Sequence, residues 1–270
     1  ADGELADTRA YVASQAAEGR DLPEVEGNDV DDDDGRDFRG ACGMICLQQG
    51  AHAGRLLAFT NWATDISGVE VAGFASTNLL GVSDDNGASW IWSNPQENDP
   101  KNVYSAPWDY TVANAEALIE LSTGRIVMTF ASKDNGQTSD NQDLNLSYSD
   151  DGGETWSDSV IIATHDVELG LNKRITESSI IEFADGELLM AVRNDTDKEI
   201  WLAHSTAADP TYWTFDVAKA FDGWGRPTII VDPNDPDGVF MFYRSDPGNV
   251  TVWRYSDDRG ATFGAEHTFS

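Results

Sequence analysis

The chain has 270 residues, 40% of them apolar, with 48 Asp and Glu against 17 Lys and Arg, for a formal net charge of −31. That length and apolar content suffice for one sizeable core. The charge argues against a nucleic-acid partner, because there is no basic patch to release counterions from phosphate.

The acidic residues are spread along the chain rather than gathered in blocks. This is the pattern of a surface held in solution by high salt, which screens self-repulsion, so a halophilic setting is expected. Residues 1–37 read as an acidic leader or linker with one short helix between Glu4 and Gly19. The run Asp31 to Asp34 places Gly35 out of register with a calcium loop, so no metal or other cofactor is expected. Position 1 is not Met and no apolar run of about 18 residues occurs, so the chain reads as a piece of a longer polypeptide or assembly with no membrane insertion.

From residue 38 to 270 the pattern is strand, turn, strand. The phrase Ser83-Asp84-Asp85-Asn86-Gly87-Ala88-Ser89-Trp90 recurs as Ser149-Asp150-Asp151-Gly152-Gly153-Glu154-Thr155-Trp156 and as Ser256-Asp257-Asp258-Arg259-Gly260-Ala261-Thr262-Phe263. A worn copy runs from Ser205 to Trp213. The steps between starting serines are 66, 56 and 51 residues, near the roughly 40 to 50 of one propeller blade with its loops. In each copy Ser and Asp can hydrogen-bond turn amides, Gly can take positive φ and the aromatic can lock the hairpin. Its Asp residues are therefore staples, not catalysts.

Between these phrases lie hairpins with Gly in the turn: Leu118 to Met128 around Thr123-Gly124, Ile180 to Met190 around Asp185-Gly186, and degenerate ones around Ala53-Gly54 and Pro236-Asp237-Gly238. Four blades can be counted, and the expected fold is an all-β propeller of four-stranded antiparallel blades. In the second hairpin, a three-residue loop Ala184-Asp185-Gly186 would set Glu177 opposite Arg193, whereas a two-residue turn would send Glu177 to the other face. Cys42 and Cys46, four apart in a strand, sit roughly 13 Å from one another, beyond disulfide reach, and read as two buried thiols. Sequons stand at Asn145, Asn194 and Asn249.

The Ser/Asp/Gly/aromatic phrases resemble the Asp-boxes of the sialidases (neuraminidases), and the resemblance implies a sialidase-like propeller acting on, or recognising, acidic sugars. Phe38-Arg39-Gly40-Ala41 followed by Gly54-Arg55-Leu56-Leu57-Ala58-Phe59 is similar to the family's opening F-R-I-P-x-L and G-x-L-L-A-F, although Gly40-Ala41 replaces Ile-Pro. By that likeness Arg39 is the first of three arginines that grip a substrate carboxylate. The segment from Glu177 to Arg193 resembles E-x-x-x-x-E-x-x-D-G-x-L-L-x-x-x-R, which implies that Glu177 assists a Tyr nucleophile and that Arg193 is the second arginine. Asp65 is the nearest candidate for the acid. Arg244 stands near the third arginine's place but out of register, and the nucleophile is not assigned, since Tyr243 and Tyr255 read as core or staple residues.

A partner is expected to be a surface glycan or glycoprotein, met outside the cell or on a virion surface in a salt-rich medium. Trp62, Trp92, Trp108, Trp201 and Trp224 are candidates for stacking on sugar rings. The competing reading is a non-catalytic glycan-binding or structural propeller domain of a viral fibre, spike or cell-surface protein.

Overall fold

The computed structural model describes residues 36–64, 75–93, 110–133, 143–164, 175–223, 225–246 and 248–269. The first blade holds β1 (Arg36–Cys46), β2 (Leu56–Thr64), β3 (Ala75–Ser83) and β4 (Ile91–Ser93), and the second β5 (Tyr110–Glu120), β6 (Ile126–Lys133), β7 (Asp143–Ser149) and β8 (Val160–Ala163). The third holds β9 (Ile175–Glu182), β10 (Glu187–Asn194), β11 (Glu199–Thr206) and β12 (Asp209–Asp222), and the fourth β13 (Thr228–Asp232), β14 (Asp235–Arg244), β15 (Thr251–Ser256) and β16 (His267–Thr268). Each sheet is an antiparallel meander, and the four are arranged as a β-propeller in which the first strands follow one another, β1 beside β5, β5 beside β9 and β9 beside β13. Apart from a 3-10 turn at Gly50–His52, no helix occurs among the described residues, and none there is long and apolar enough to cross a membrane.

Successive side chains of a strand point to opposite faces, so a blade packed on both sides must be apolar on both. That is why Ile126 to Ala131 and Leu188 to Val192 read as unbroken apolar runs. Ile126, Met128 and Phe130 meet Leu57, Leu80 and Val82 of the first blade. Val127, Leu144 and Leu146 meet Leu188, Met190 and Val192, and the alternate residues Leu189 and Ala191 turn to Val239, Met241 and Tyr243 of the fourth blade. The core is thus three inter-blade layers.

The first hairpins of the second and third blades share a loop, and those of the first and fourth depart from it. Leu121 donates to the Arg125 carbonyl at 2.7 Å and Phe183 to the Glu187 carbonyl at 2.8 Å, each closing a three-residue loop with Gly124 or Gly186 at positive φ. In the first blade Leu47 makes the same bond to Arg55, at 2.8 Å, around a longer loop. In the fourth, the turn is not at Pro236-Asp237-Gly238 but three residues earlier, since Asp232 pairs with Asp235 and the segment up to Val239 forms a bulge. Pro233 ends β13 because it has no amide to give the ladder.

The three Ser/Asp/Gly turns share one hydrogen-bond set. The Ser149 hydroxyl donates to Asp151 at 2.8 Å and accepts from the Gly153 amide at 2.9 Å, while Asp151 also accepts from the Thr155 amide at 2.8 Å. Ser83 with Asp85 and Ser256 with Asp258 repeat it. Gly260 holds a φ of 84° and lies so close to Leu189 that an added Cβ would come within 2.9 Å of it, which seats this turn on the neighbouring blade. The worn copy has collapsed to a tight Thr206-to-Asp209 turn, keeping Trp213, whose indole N–H donates to the Pro210 carbonyl at 2.7 Å.

Polar latches join neighbouring blades at this end. The Glu120 carboxylate accepts from the amides of Gln48 and Gln49 at 2.6 and 3.1 Å, and Glu182 accepts from the amide and hydroxyl of Ser122, both at 2.6 Å. Arg259 reaches back to Asp185 and Glu187 at 2.6 and 3.1 Å. Arg55, 7% exposed, forks onto Asp84 at 2.7 and 2.9 Å and donates to the Gly152 carbonyl at 3.1 Å and to Glu154 in the second blade.

Arg55→Ala is expected to lower the unfolding free energy by about 2–3 kcal/mol, through the lost stem packing and charge-assisted bonds. Asp84 and Glu154 face water, which keeps the cost below that of breaking a fully buried pair. Urea unfolding measures it, and a loss below about 0.5 kcal/mol would show that the bridge is not structural.

Candidate functional site

In an antiparallel meander the first and third strands end at one edge and the second ends at the other. The Asp-box turns follow β3, β7 and β15 and occupy the first edge. The opposite edge collects the start of β9, the end of β10, the start of β13, the end of β14 and the start of β15. There an open cleft of about 470 Å³ is lined by Glu177, Arg193, Gly225, Arg226, Thr228, Phe242, Tyr243, Arg244 and Thr251.

Glu177 is set by its neighbours. The Ser178 hydroxyl shares a buried 2.6 Å hydrogen bond with Thr129 of the second blade, and the Ser179 hydroxyl accepts from the Ile229 amide of the fourth at 3.1 Å. Two adjacent serines, one and two residues past Glu177, thus pin β9 to both flanking blades. The three-residue loop Ala184-Asp185-Gly186 is present, yet the counted register does not hold to the end of the hairpin. Val192 pairs with Ser178 but Arg193 pairs with Thr176, leaving Glu177 as a bulged residue at φ 31°. A positive φ at a non-glycine residue is a strained backbone of the kind found at functional sites. The expected pairing of Glu177 with Arg193 is therefore lost in the backbone and kept by the side chains, at 2.7 Å between Arg193 Nη1 and Glu177 Oε2.

Arg193, 13% exposed, also donates through Nη2 to Asp195. Burial works against its charge, but the Glu177 and Asp195 carboxylates more than compensate, and its pKa is raised. Arg226 approaches Glu177 from the other side, its Nε 3.8 Å from Oε1, with a side chain 53% exposed. Arg244, at the end of β14 opposite Thr251, enters the same cleft. Gly225, at φ 94°, makes room for it, since a Cβ there would stand 3.0 Å from Arg244 Nε. A cleft with three guanidinium groups around one carboxylate is suited to an anionic ligand, because the planar fork matches the two oxygens of a carboxylate.

Of the residues expected from sequence, Glu177, Arg193 and Arg244 are brought together, Arg244 despite its shifted register. Arg39 lies in the leading half of β1, within its bulged stretch between Phe38 and Ala41, at the cleft edge of the first blade, and its side chain lies outside the described residues. Asp65, next after the last residue of β2, also lies outside them. Sequence reasoning missed Arg226, and the available signal was its place just ahead of a blade's first strand with Pro227 holding it extended.

Tyr243 is 2% exposed, receives a 2.7 Å hydrogen bond from Arg254 Nε and donates to Glu266 at 2.8 Å. Burial pushes its hydroxyl up to about 12, and its ring packs in the core between the third and fourth blades, as expected. Tyr255 donates to Asp235 at 3.1 Å and ties down the fourth blade's bulge. Among the proposed stacking tryptophans, Trp201 is 3% exposed and belongs to the core; the side chains of Trp62, Trp92, Trp108 and Trp224 lie outside the described residues. Asn145 and Asn194 are fully buried, which removes two of the three sequons, while Asn249 is exposed. Cys46 is exposed rather than buried, and among the described residues no cluster of His, Cys, Asp and Glu could hold a metal.

The family model of the BNR/Asp-box repeat matches residues 147–158, the second of the three turns. A sialidase of Paraclostridium sordellii is 30% identical over 239 residues, covering 78% of this chain and 54% of the relative. Among solved structures, the Hadza microbial sialidase Hz136 matches with a TM-score of 0.61 at 16% identity, over 80% of this chain and 43% of its own. The NanB sialidase of Streptococcus pneumoniae matches with 0.60 at 11% identity, over 94% and 55%. An exo-β-1,3-galactanase of Phanerochaete chrysosporium matches with 0.52 at 16% identity, over 86% and 50%. The chain spans about half the length of these relatives. At such identities the structural matches establish the fold, and the chemistry must come from the site.

Proposed function

Because the chain is an Asp-box β-propeller related to the sialidases, we propose that it is a carbohydrate-active domain whose cleft takes the carboxylate of an acidic sugar on a surface glycan. The observation that carries this reading is the Glu177–Arg193 pair at 2.7 Å with Arg226 and Arg244 in the same cleft. In this reading Arg193 and Arg244 grip the carboxylate, Arg39 joins them from the first blade, and Glu177 orients what is bound. Asp65 is proposed as the acid from its place after β2. We place the encounter outside the cell or at a virion surface; the net charge of −31 supports the salt-rich medium of that setting.

A second reading, recognition without hydrolysis, is favoured by one observation: the tyrosine lining the cleft, Tyr243, is buried with its hydroxyl engaged by Arg254 and Glu266. The experiment is release of fluorophore from a fluorogenic sialoside in molar salt, beside the Glu177→Gln variant, with binding of N-acetylneuraminic acid followed in the same buffer. Release lost in the variant establishes a glycosidase. Binding without release establishes a recognition domain. Neither release nor binding by folded protein removes the acidic-sugar reading.

A further inference from the structure

We propose that Asn249 is an N-glycosylation site, and that the sugar chain it carries stands at the mouth of the cleft and screens it from bulky partners. The modification rests on the exported setting proposed above, and the screening rests also on the acidic-sugar reading of the cleft.

Three Asn-x-Ser/Thr sequences occur, at Asn145, Asn194 and Asn249, and in sequence they are equivalent acceptors. Folding separates them. Asn145 lies in β7 between Phe130 and Ile161, fully buried, its carboxamide nitrogen donating to the Asp143 carbonyl at 3.2 Å. Asn194 ends β10, also fully buried, with the same nitrogen on Asp197 at 2.6 Å. A bulky, hydrophilic sugar chain at either place would have to displace close-packed strands.

Asn249 sits differently. The loop between β14 and β15 leaves the blade at the cleft edge, and residues 248–250, with Thr251 at the start of β15, are all exposed. The Asn249 backbone closes the turn, its amide donating to the Ser245 carbonyl at 2.9 Å, at a φ of 50° that asparagine tolerates better than most residues. The Ser245 amide in turn donates to the Val250 carbonyl at 3.0 Å. A held backbone thus presents an exposed carboxamide, with the hydroxyl of the sequence, Thr251, exposed two residues on.

In the modification the Asn249 carboxamide nitrogen attacks the anomeric carbon of a lipid-linked oligosaccharide. A C–N bond forms, the glycosyl–phosphate C–O bond breaks, the lipid phosphate leaves with the electron pair, and the nitrogen gives one proton to the transferase. Thr251 also lines the cleft, and two residues of chain span at most about 7 Å. A branched sugar chain on Asn249 therefore overhangs the opening, where a free monosaccharide passes and a protein-borne glycan meets an obstacle.

The test secretes the whole chain from cells that N-glycosylate their exported proteins and maps glycopeptides by mass for wild type, Asn249→Gln, Thr251→Ser and Thr251→Val. Thermal melts check that each variant folds, as expected for exposed positions. Wild type and Thr251→Ser are expected to carry sugar at Asn249 and at neither Asn145 nor Asn194, and Asn249→Gln and Thr251→Val to carry none. An unmodified Asn249 in folded protein, beside a glycosylated exported protein from the same cells, overturns the assignment. For the screening, glycosylated wild type is expected to bind a sialylated glycoprotein about three-fold or more weakly than Asn249→Gln, through slower association, and N-acetylneuraminic acid equally well. Equal binding of the glycoprotein by both forms overturns the screening. Binding of neither probe by either form overturns the acidic-sugar reading, and the screening with it, and leaves the modification standing.

Discussion

Arg193→Ala is expected to abolish measurable binding of an acidic sugar and to lower the unfolding free energy by about 3 kcal/mol. Its two Nη groups hold Glu177 and Asp195, which are 16% and 19% exposed. Removing the cation leaves two shielded carboxylates facing each other at the end of β10. Breaking a fully buried pair costs about 3–5 kcal/mol, and partial exposure puts this one at the lower end. Arg193→Lys should retain part of the stability but little of the binding, since a single ammonium cannot reproduce the fork.

Urea unfolding and ligand titration separate the two effects. The double variant Arg193→Ala/Glu177→Gln should recover part of the lost stability, because it removes one of the stranded charges, and none of the binding. Full binding by folded Arg193→Ala would refute the site. No recovery in the double variant would refute the electrostatic account of its stability.

Asp151→Ala is expected to lower the unfolding free energy by about 2–3 kcal/mol and to leave ligand binding per folded molecule unchanged. One carboxylate there organises the whole turn, accepting from Ser149 and from the amide and hydroxyl of Thr155. Each charge-assisted bond contributes about 1 kcal/mol or more. The turn lies at the opposite edge of the blades from the cleft, so binding has no reason to change.

The same turns make stability depend on pH. The hydroxyl and amide of Ser89, with the Ser83 hydroxyl, hold the Asp85 carboxyl at about 2. Burial pushes the Asp151 carboxyl up, but the Thr155 and Ser149 donors outweigh it and the pKa falls below the ordinary value of 3.8. Both groups are therefore more acidic folded than unfolded. Their contribution is present in full above about pH 4 and is lost as pH falls toward about 2. Asp151→Ala should flatten that acid limb of the stability curve, and an unchanged limb would show that the staple is not what titrates.

The blades were legible because their signals are local. A Ser, an Asp and a Gly within five residues close the same hydrogen bonds wherever they stand, so Ser83, Ser149 and Ser256 announce three blades without knowledge of what surrounds them. The hairpin at Asp185-Gly186 was legible for the same reason, although its sequence left a two-residue and a three-residue loop both open and the structure chose the longer. The turn of the fourth blade was not: Asp237-Gly238 looks like a hairpin, but Pro233 stops β13 first and a bulge absorbs the Asp-Gly pair.

The site divides along the same line. Sequence by itself determined the all-β blades, the Asp-box staples and the candidates Glu177 and Arg193, because each depends on residues near one another in the chain. Only the tertiary structure decided that Glu177 bulges out of register and that Arg226 and Arg244 face the Glu177–Arg193 pair. Those outcomes depend on how the third and fourth blades pack, on two serines bonded to opposite neighbours and on a glycine that admits a guanidinium. Contacts between blades join residues tens of positions apart, and no local pattern encodes which strand end lies across the gap.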